Sequence, residues 1–252
     1  MAIRTTEQIA SMTDDQAIRI KNELLPNAVE YAFAEYVKTN PSIDGAQRVI
    51  EQGGEFKLRF AALLQEFGIT ADSRVVAEWQ KFYKEHFGLD VDFSKIAIPQ
   101  RPKGNWRLLL IAKGMTMNTA FGRCKKLFAT WQYSDDLDAK ITQNARTSKE
   151  DYAVWVLDEV EPEKEYRGKS TRQADPDMKI GITVLERIIF ELKYFSETGK
   201  HLDIKGATFC SGSRDSDGHV SYAGWYGGRF RIRWDGLDGS YSYCGFRSAV
   251  SL

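Results

Sequence analysis

The chain has 252 residues, of which 42% are hydrophobic and 28% are charged, as in an ordinary globular protein. Its 35 basic and 35 acidic residues cancel, and since nucleic-acid binding relies on positive charge, we expect no nucleic-acid partner. The longest apolar run, 108–112, is too short to cross a bilayer, and residues 1–20 lack an apolar core of signal-peptide length. We therefore expect no membrane insertion, and either a cytoplasmic location or export by a non-classical route.

Residues 1–98 have the pattern of a helical region. The segments 13–39, 54–68 and 72–88 carry apolar residues at helical spacing, and the second and third end at a glycine that can cap a helix. The prolines, glycine and basic residues of 95–105 are typical of a linker. We therefore predict a helical N-terminal region, 1–98, followed by a second domain, 99–252.

The second domain alternates strand and helix patterns. Strands are predicted from Trp106 and from Tyr152, and a helix over 117–132 lies between them. The strongest helical periodicity runs from Ile182 to Phe195 and closes at Gly199. The carboxylate-rich run between the second strand and this helix is interpreted as a solvated loop. This order of elements predicts an α+β fold.

The last 47 residues, 206–252, have an unusual composition, because they contain no Lys, Glu, Gln or Met. Within them, "RFRIRW" (229–234) alternates arginines with apolar residues, which predicts a strand with one buried and one exposed face. Tyr, Ser, Gly and Arg dominate the remainder. Antibody paratopes favour Tyr, Ser and Gly, and arginine adds bidentate hydrogen bonds, so this composition indicates a binding surface.

Residues 104–252 resemble the variable proteins of diversity-generating retroelements, and are most similar to the versions in uncultivated small-genome bacteria and archaea. The resemblance rests on the helix "GITVLERIIFELKYFSETGKHLD" (181–203) and on the pattern SR-x-SDG-x-V…W…W…FRSAV that follows it. It implies a C-type lectin fold for 99–252. It also implies that a reverse transcriptase rewrites a variable region, about 213–247, by mutagenesis at template adenines.

This mechanism accounts for the composition, because randomising the adenines of AAC or AAT codons never yields Lys, Glu, Gln, Met or Trp. The resemblance implies a set of variable, outward-facing, ligand-binding positions: His219, Tyr222, Gly224, Tyr226, Gly228, Arg229, Arg231, Arg233, Asp235, Leu237, Asp238, Ser240, Tyr241 and Tyr243. It implies a fixed framework at Arg214, Gly218, Val220, Trp225, Phe230, Ile232, Trp234, Phe246 and Arg247.

The function that this resemblance implies is non-catalytic binding of a protein or a cell- or virus-surface ligand, with no cofactor and no metal. One alternative is an oxidase of the formylglycine-generating type, since "SYCGFR" (242–247) resembles part of that site, although the partner cysteine is missing. Another is a calcium-independent carbohydrate-binding lectin. Calcium-dependent sugar binding is disfavoured, because the chain has no Glu-Pro-Asn triplet and no Asn after Asn144. The three cysteines are interpreted as buried thiols.

Overall fold

The computed structural model describes residues 71–252, which cluster as a single unit. The helices predicted over 13–39 and 54–68 lie outside these residues. The described helices are α1 (Ala71–Phe87), α2 (Met117–Leu127), α3 (Leu137–Lys140), α4 (Thr171–Ala174) and α5 (Val184–Thr198). None of them is both long enough and apolar enough to cross a lipid bilayer.

The strands are β1 (Trp106–Ile111), β2 (Thr130–Gln132), β3 (Gln143–Asn144), β4 (Tyr152–Leu157), β5 (Ala207–Phe209), β6 (Ser213–Arg214), β7 (Val220–Tyr226), β8 (Arg229–Asp235), β9 (Cys244–Phe246) and β10 (Ala249–Val250). They form a three-stranded sheet in the order β1-β4-β10, a five-stranded sheet in the order β2-β8-β7-β5-β9, and the pair β3-β6. In the five-stranded sheet, β2 pairs with β8 and β5 with β9 in parallel, while the other pairs are antiparallel. The predicted α+β class is confirmed.

Helix α1 packs on the first sheet through aromatic residues that recur at helical spacing. Trp79 and Tyr83 are buried, and their polar atoms donate hydrogen bonds to the carbonyl oxygens of Leu108 (3.1 Å) and Leu110 (2.9 Å) in β1. The helix ends at Gly88, whose φ of 70° suits glycine. Helix α1 therefore shares a core with the sheets, although it lies before residue 98.

Helix α2 is shorter than predicted. It ends at Leu127 because Phe128 adopts an extended backbone, and residues 130–132 form β2 beside β8. Helical spacing alone did not reveal this change, since the short strand is stabilised by a partner about a hundred residues further along the chain. The predicted helix after Ile182 is confirmed as α5, with a Thr183–Glu186 capping box and Gly199 in the left-handed region as its C-cap.

The carboxylate-rich segment 158–177 is only in part the solvated loop that the sequence suggested, since Glu159, Glu165 and Asp177 are exposed but Asp175 is not. Asp175 is buried and accepts hydrogen bonds from the amides of Lys179 (2.7 Å) and Gly181 (3.0 Å) and from the Ser211 hydroxyl (2.7 Å). Part of the segment forms α4, which begins with a capping box. Asp175 therefore satisfies buried backbone donors, a role that charge density in a sequence does not show.

Strands β7 and β8 form a hairpin closed by Gly227 and Gly228. Both glycines have positive φ values, 58° and 69°, as a two-residue hairpin turn of the primed type requires. On β8 the predicted alternation holds for Phe230 and Ile232, which are fully buried. It fails for Trp234, which is 48% exposed and lies against the His219 ring with centroids 4.4 Å apart. The prediction that Trp234 is a buried framework residue is therefore wrong.

Candidate binding groove

The hairpin register sorts the predicted ligand-binding residues onto one face of the five-stranded sheet. Tyr222 lies opposite Arg233, and Gly224 opposite Arg231. This face of the sheet carries a groove of about 530 Å³. The groove is lined by Ile204, Lys205, Gly206, Ala207, Tyr222, Gly224, Trp225, Tyr226, Arg231, Arg233 and Tyr243. Six of these eleven residues are among the predicted ligand-binding positions.

The floor of the groove is formed where two glycines meet. A Cβ at Gly224 would lie 2.7 Å from the Gly206 carbonyl oxygen and 3.1 Å from the Ala207 Cα. A Cβ at Gly206 would lie 2.7 Å from the Tyr243 carbonyl oxygen. Because backbone atoms cannot retreat cheaply from such contacts, both positions require glycine. Gly224 is therefore a buried structural residue, and its predicted place among outward-facing variable positions is wrong.

The cationic wall of the groove consists of two arginines from β8. The Nε of Arg231 donates to the Tyr226 carbonyl oxygen (3.0 Å), and its guanidinium lies over the Tyr226 ring at 5.2 Å from the centroid. Arg233 lies 5.9 Å from the centroid of the Trp131 ring. Among the described residues, neither guanidinium has a carboxylate within 4 Å. Their charges are therefore held in position by aromatic rings and are not neutralised.

Tyr222 and Tyr243 keep their hydroxyl protons at neutral pH. Burial raises the pKa of Tyr222 and of Tyr243, and the charge of Arg233 only partly opposes this. At the rim, the carboxylate of Asp235 raises the pKa of Tyr241 to about 12. The Tyr241 ring stacks on that of Tyr243 with centroids 5.4 Å apart. The groove thus presents hydroxyl donors and cations together.

A buried ion network holds the wall of the groove. Asp203 has a left-handed φ of 54°. Its carboxylate accepts hydrogen bonds from Arg187 (2.8 and 3.0 Å), Arg247 (3.0 Å) and Thr208 (2.7 Å). Its carbonyl oxygen accepts from the Trp225 amide (3.0 Å). Because the groove residues 204–206 follow directly, this network fixes where the wall begins.

The network is closely balanced in charge. Arg187 also donates to Glu191 (2.9 Å), and all four charged residues, Arg187, Glu191, Asp203 and Arg247, are fully buried. Burial disfavours the charged form of Arg187, but the adjacent carboxylates outweigh this effect and raise its pKa. The second Glu191 oxygen accepts a hydrogen bond from the His201 Nδ1 (2.8 Å), and the His201 ring stacks on Trp225 with centroids 3.4 Å apart. The network is therefore connected to a residue that lines the groove.

No family model, curated protein or solved structure matches the chain.

The other predicted positions lie around the groove or away from it. Leu237 packs against a small apolar cluster that also contacts Tyr222, beside the groove. Asp238 forms an exposed ion pair with Arg172 (2.6 Å), and the Ser240 hydroxyl donates to the Gly168 carbonyl oxygen. These contacts attach the loop before Tyr241 to the segment that carries α4. The loop is thus tethered at one side of the groove.

Three more of the predicted positions lie away from the groove, at the hairpin turn and just before β7. Gly228 occupies the hairpin turn, and Arg229 is exposed beside it. His219 lies at the start of β7, where its ring contacts Trp234 and approaches the Asp215 carboxylate (3.3 Å). The structure therefore brings together only part of the predicted set.

The turn before β7 holds a cluster of possible metal ligands, Asp215, Asp217 and His219, whose ligand atoms lie within 4.8 Å of one another. Asp215 accepts hydrogen bonds from the amides of Asp217 and His219, both at 2.9 Å, and Lys140 forms ion pairs with both carboxylates. The hydrogen bonds of the turn and the ion pairs with Lys140 account for the proximity of these side chains, and no bound metal ion is needed to explain it.

Three residues around the groove escaped the sequence analysis. Ile204 and Lys205 line one wall but precede residue 206, where the unusual composition begins. Trp131 lies on β2 opposite Arg231 in register and is 40% exposed. Trp131 lies in a segment that was predicted to be helical, and nothing in the neighbouring sequence indicates that its ring is exposed beside a binding surface. Only the pairing of β2 with β8 places it there.

The cysteines do not contribute to this surface. Cys124, Cys210 and Cys244 are free and buried, as expected. Burial raises the pKa of the Cys244 thiol to about 12, so the reactive thiolate is scarce at neutral pH. This environment gives the oxidase alternative no support.

Proposed function

We propose that this chain is a non-catalytic ligand-binding protein whose binding surface is the groove and its aromatic rim. In this proposal, residues 99–252 form a domain of the C-type lectin type, and retroelement mutagenesis diversifies the exposed positions of 213–247. The ligand is a protein or a cell- or virus-surface structure. The α+β architecture is compatible with such a domain.

The observation that carries the proposal is the separation of the two faces of β7 and β8. Tyr222 and Tyr226 line the groove, whereas Ala223 between them is buried in the core. Likewise Arg231 and Arg233 line the groove, whereas Ile232 is fully buried. Strand alternation thus puts Tyr222, Tyr226, Arg231 and Arg233 on a surface where their side chains can change while the core stays constant.

The structure narrows the set of positions that the proposal assigns to diversification. Gly224 is excluded by its backbone contacts, and Gly228 is restricted by its positive φ. The positions that combine exposure with proximity to the groove are Tyr222, Tyr226, Arg229, Arg231, Arg233, Tyr241 and Tyr243. Tyr226 is the most exposed of the large side chains around the groove, at 70%. It is the position at which substitutions should be most frequent.

Sequencing this gene from many cells of its natural population tests the proposal. We expect substitutions to concentrate at the seven positions above, in codons whose changes trace to adenines of a nearby template copy. Codons for Phe230, Ile232 and Phe246, which are buried in the same segment, serve as the internal control and should be invariant. Substitutions spread evenly over exposed and buried codons, or no template copy near the gene, would contradict diversification.

A further inference from the structure

The charge of the groove suggests what kind of ligand it binds. Lys205, Arg231 and Arg233 line it, and none of its eleven lining residues is acidic. Among the described residues, none of these three cations has a carboxylate within 4 Å. Elsewhere, by contrast, Arg172 of α4 pairs with Asp238 in the loop that follows β8. The groove therefore gathers three cations without a salt-bridge partner in the described part of the chain, although the Glu161 carboxylate accepts a hydrogen bond from the Lys205 amide.

The chemistry of the two arginines suits a carboxylate. Arg231 uses Nε to bond the Tyr226 carbonyl oxygen, which leaves its terminal nitrogens available. Stacking on aromatic rings restricts both guanidinium groups, so less conformational entropy is lost when they bind. Guanidinium groups bind carboxylates through paired hydrogen bonds, and the protonated hydroxyls of Tyr222 and Tyr243 supply further donors.

The opposite side of the groove carries apolar residues beside Lys205. Ile204 is 54% exposed there, and Ala207 and Trp225 also contribute to the lining. A ligand that fits both sides combines an acidic group with an apolar or aromatic one. The exposed rings of Trp131, Tyr226 and Tyr243 extend this surface beyond the groove. Such a shallow aromatic and arginine-rich surface is typical of protein interfaces, whereas small-molecule sites enclose most of their ligand.

A long polyanion fits this surface less well. Lys205 also lines a neighbouring groove, which contains four glutamates besides Lys164 and Arg167. The glutamates are Glu159, Glu161, Glu163 and Glu165. A nucleic-acid backbone that crossed from the first groove to the second would place phosphates beside these carboxylates, which is unfavourable. A protein segment with one or two acidic residues avoids this contact.

We propose that the groove binds an acidic segment of a protein partner, with an Asp or Glu carboxylate between Arg231 and Arg233 and an apolar or aromatic neighbour against Ile204. This inference rests on the proposed function and specifies its ligand class for this particular sequence. Diversification of the arginines would change the preferred ligand.

Panning a displayed library of random 12-residue peptides on the full chain tests the proposal. We expect the enriched peptides to contain more Asp and Glu than the input library, beside aromatic or apolar residues. Each should bind the Arg231→Gln/Arg233→Gln variant at least about tenfold more weakly, a loss that corresponds to about 1.4 kcal/mol. Arg101→Gln, which removes an exposed arginine outside the five-stranded sheet, is the matched control and should bind as the wild type does.

The other outcomes separate this inference from the proposed function. Enriched peptides that are neutral or basic, yet lose binding in the double variant, would overturn the acidic ligand and support the groove as a binding surface. Peptides that bind the double variant as well as the wild type would contradict both. Tighter binding of a fluorescent oligothymidylate than of any peptide would overturn the inference in favour of a nucleic acid, and a library that yields no enriched peptide would also count against it.

Discussion

Asp203→Asn is expected to lower the free energy of unfolding by about 3–5 kcal/mol, the cost typical of removing one partner from a buried ion network. The substitution keeps the shape of the side chain but removes the negative charge between Arg187 and Arg247. Both guanidinium groups are fully buried, so water cannot replace the lost carboxylate. Chemical denaturation of the two proteins measures the difference.

The matched control is Asp177→Asn. Asp177 forms an ion pair with Lys179 (3.0 Å), and both side chains are largely exposed. Exposed pairs contribute little to stability, so the melting temperature should stay unchanged. Equal effects of the two substitutions would show that the buried network does not stabilise the fold as described. A loss confined to Asp203→Asn would support it.

Phe230→Ala is expected to cost about 3–5 kcal/mol, whereas Trp234→Ala, in the same strand, should cost less than about 1 kcal/mol. Phe230 is fully buried and contacts the rings of Phe121 and Phe128, with centroids 6.0 and 6.3 Å away. Removing its ring leaves a cavity that this packed core cannot fill. Trp234, by contrast, already has about half of its surface in solvent and lies against a single ring, that of His219.

The structure and the sequence pattern predict different results here, because alternation in "RFRIRW" predicts equal burial for Phe230 and Trp234. Denaturation curves for the two variants, measured under the same conditions, provide the test. A large loss of unfolding free energy for Trp234→Ala would show that the apolar side chains of β8 are packed along its whole length. That result would show that Trp234 is a buried framework residue, as the sequence pattern predicted.

The parts of the fold that follow from local pattern were predictable. Helix α5 has its capping box, its apolar stripe and its closing glycine all within residues 182–199. The alternation along β8 also placed Arg231 and Arg233 on the exposed face correctly. In both cases the determining interactions are close in sequence, so that spacing alone reports them.

The features that depend on distant contacts were not predictable. An Arg in the middle of a helix, such as Arg187, is normally a surface residue, and only the approach of Asp203 and Arg247 explains its burial. Gly224 resembled the other glycines of its segment, and its role depends on the backbone of Gly206. Each of these facts requires knowing which chain segments meet.

The candidate site also depends on contacts between distant segments of the chain. Its composition indicated a binding surface, and part of the predicted set does line one groove. The wall formed by Ile204 and Lys205 and the exposed ring of Trp131 come from segments of ordinary composition. When several strands form a binding surface together, its full set of residues cannot be predicted from the one segment that has an unusual composition.

The central claim is that the side chains on the groove face are not needed for folding. Two libraries of the full chain, displayed on cells and sorted for protease resistance, test it most directly. One randomises Tyr226, Arg231, Arg233, Tyr241 and Tyr243 together. The other randomises Gly224, Phe230, Ile232 and Phe246. We predict that most members of the first library stay resistant and that nearly all members of the second are cleaved. Similar cleavage of both libraries would contradict the claim.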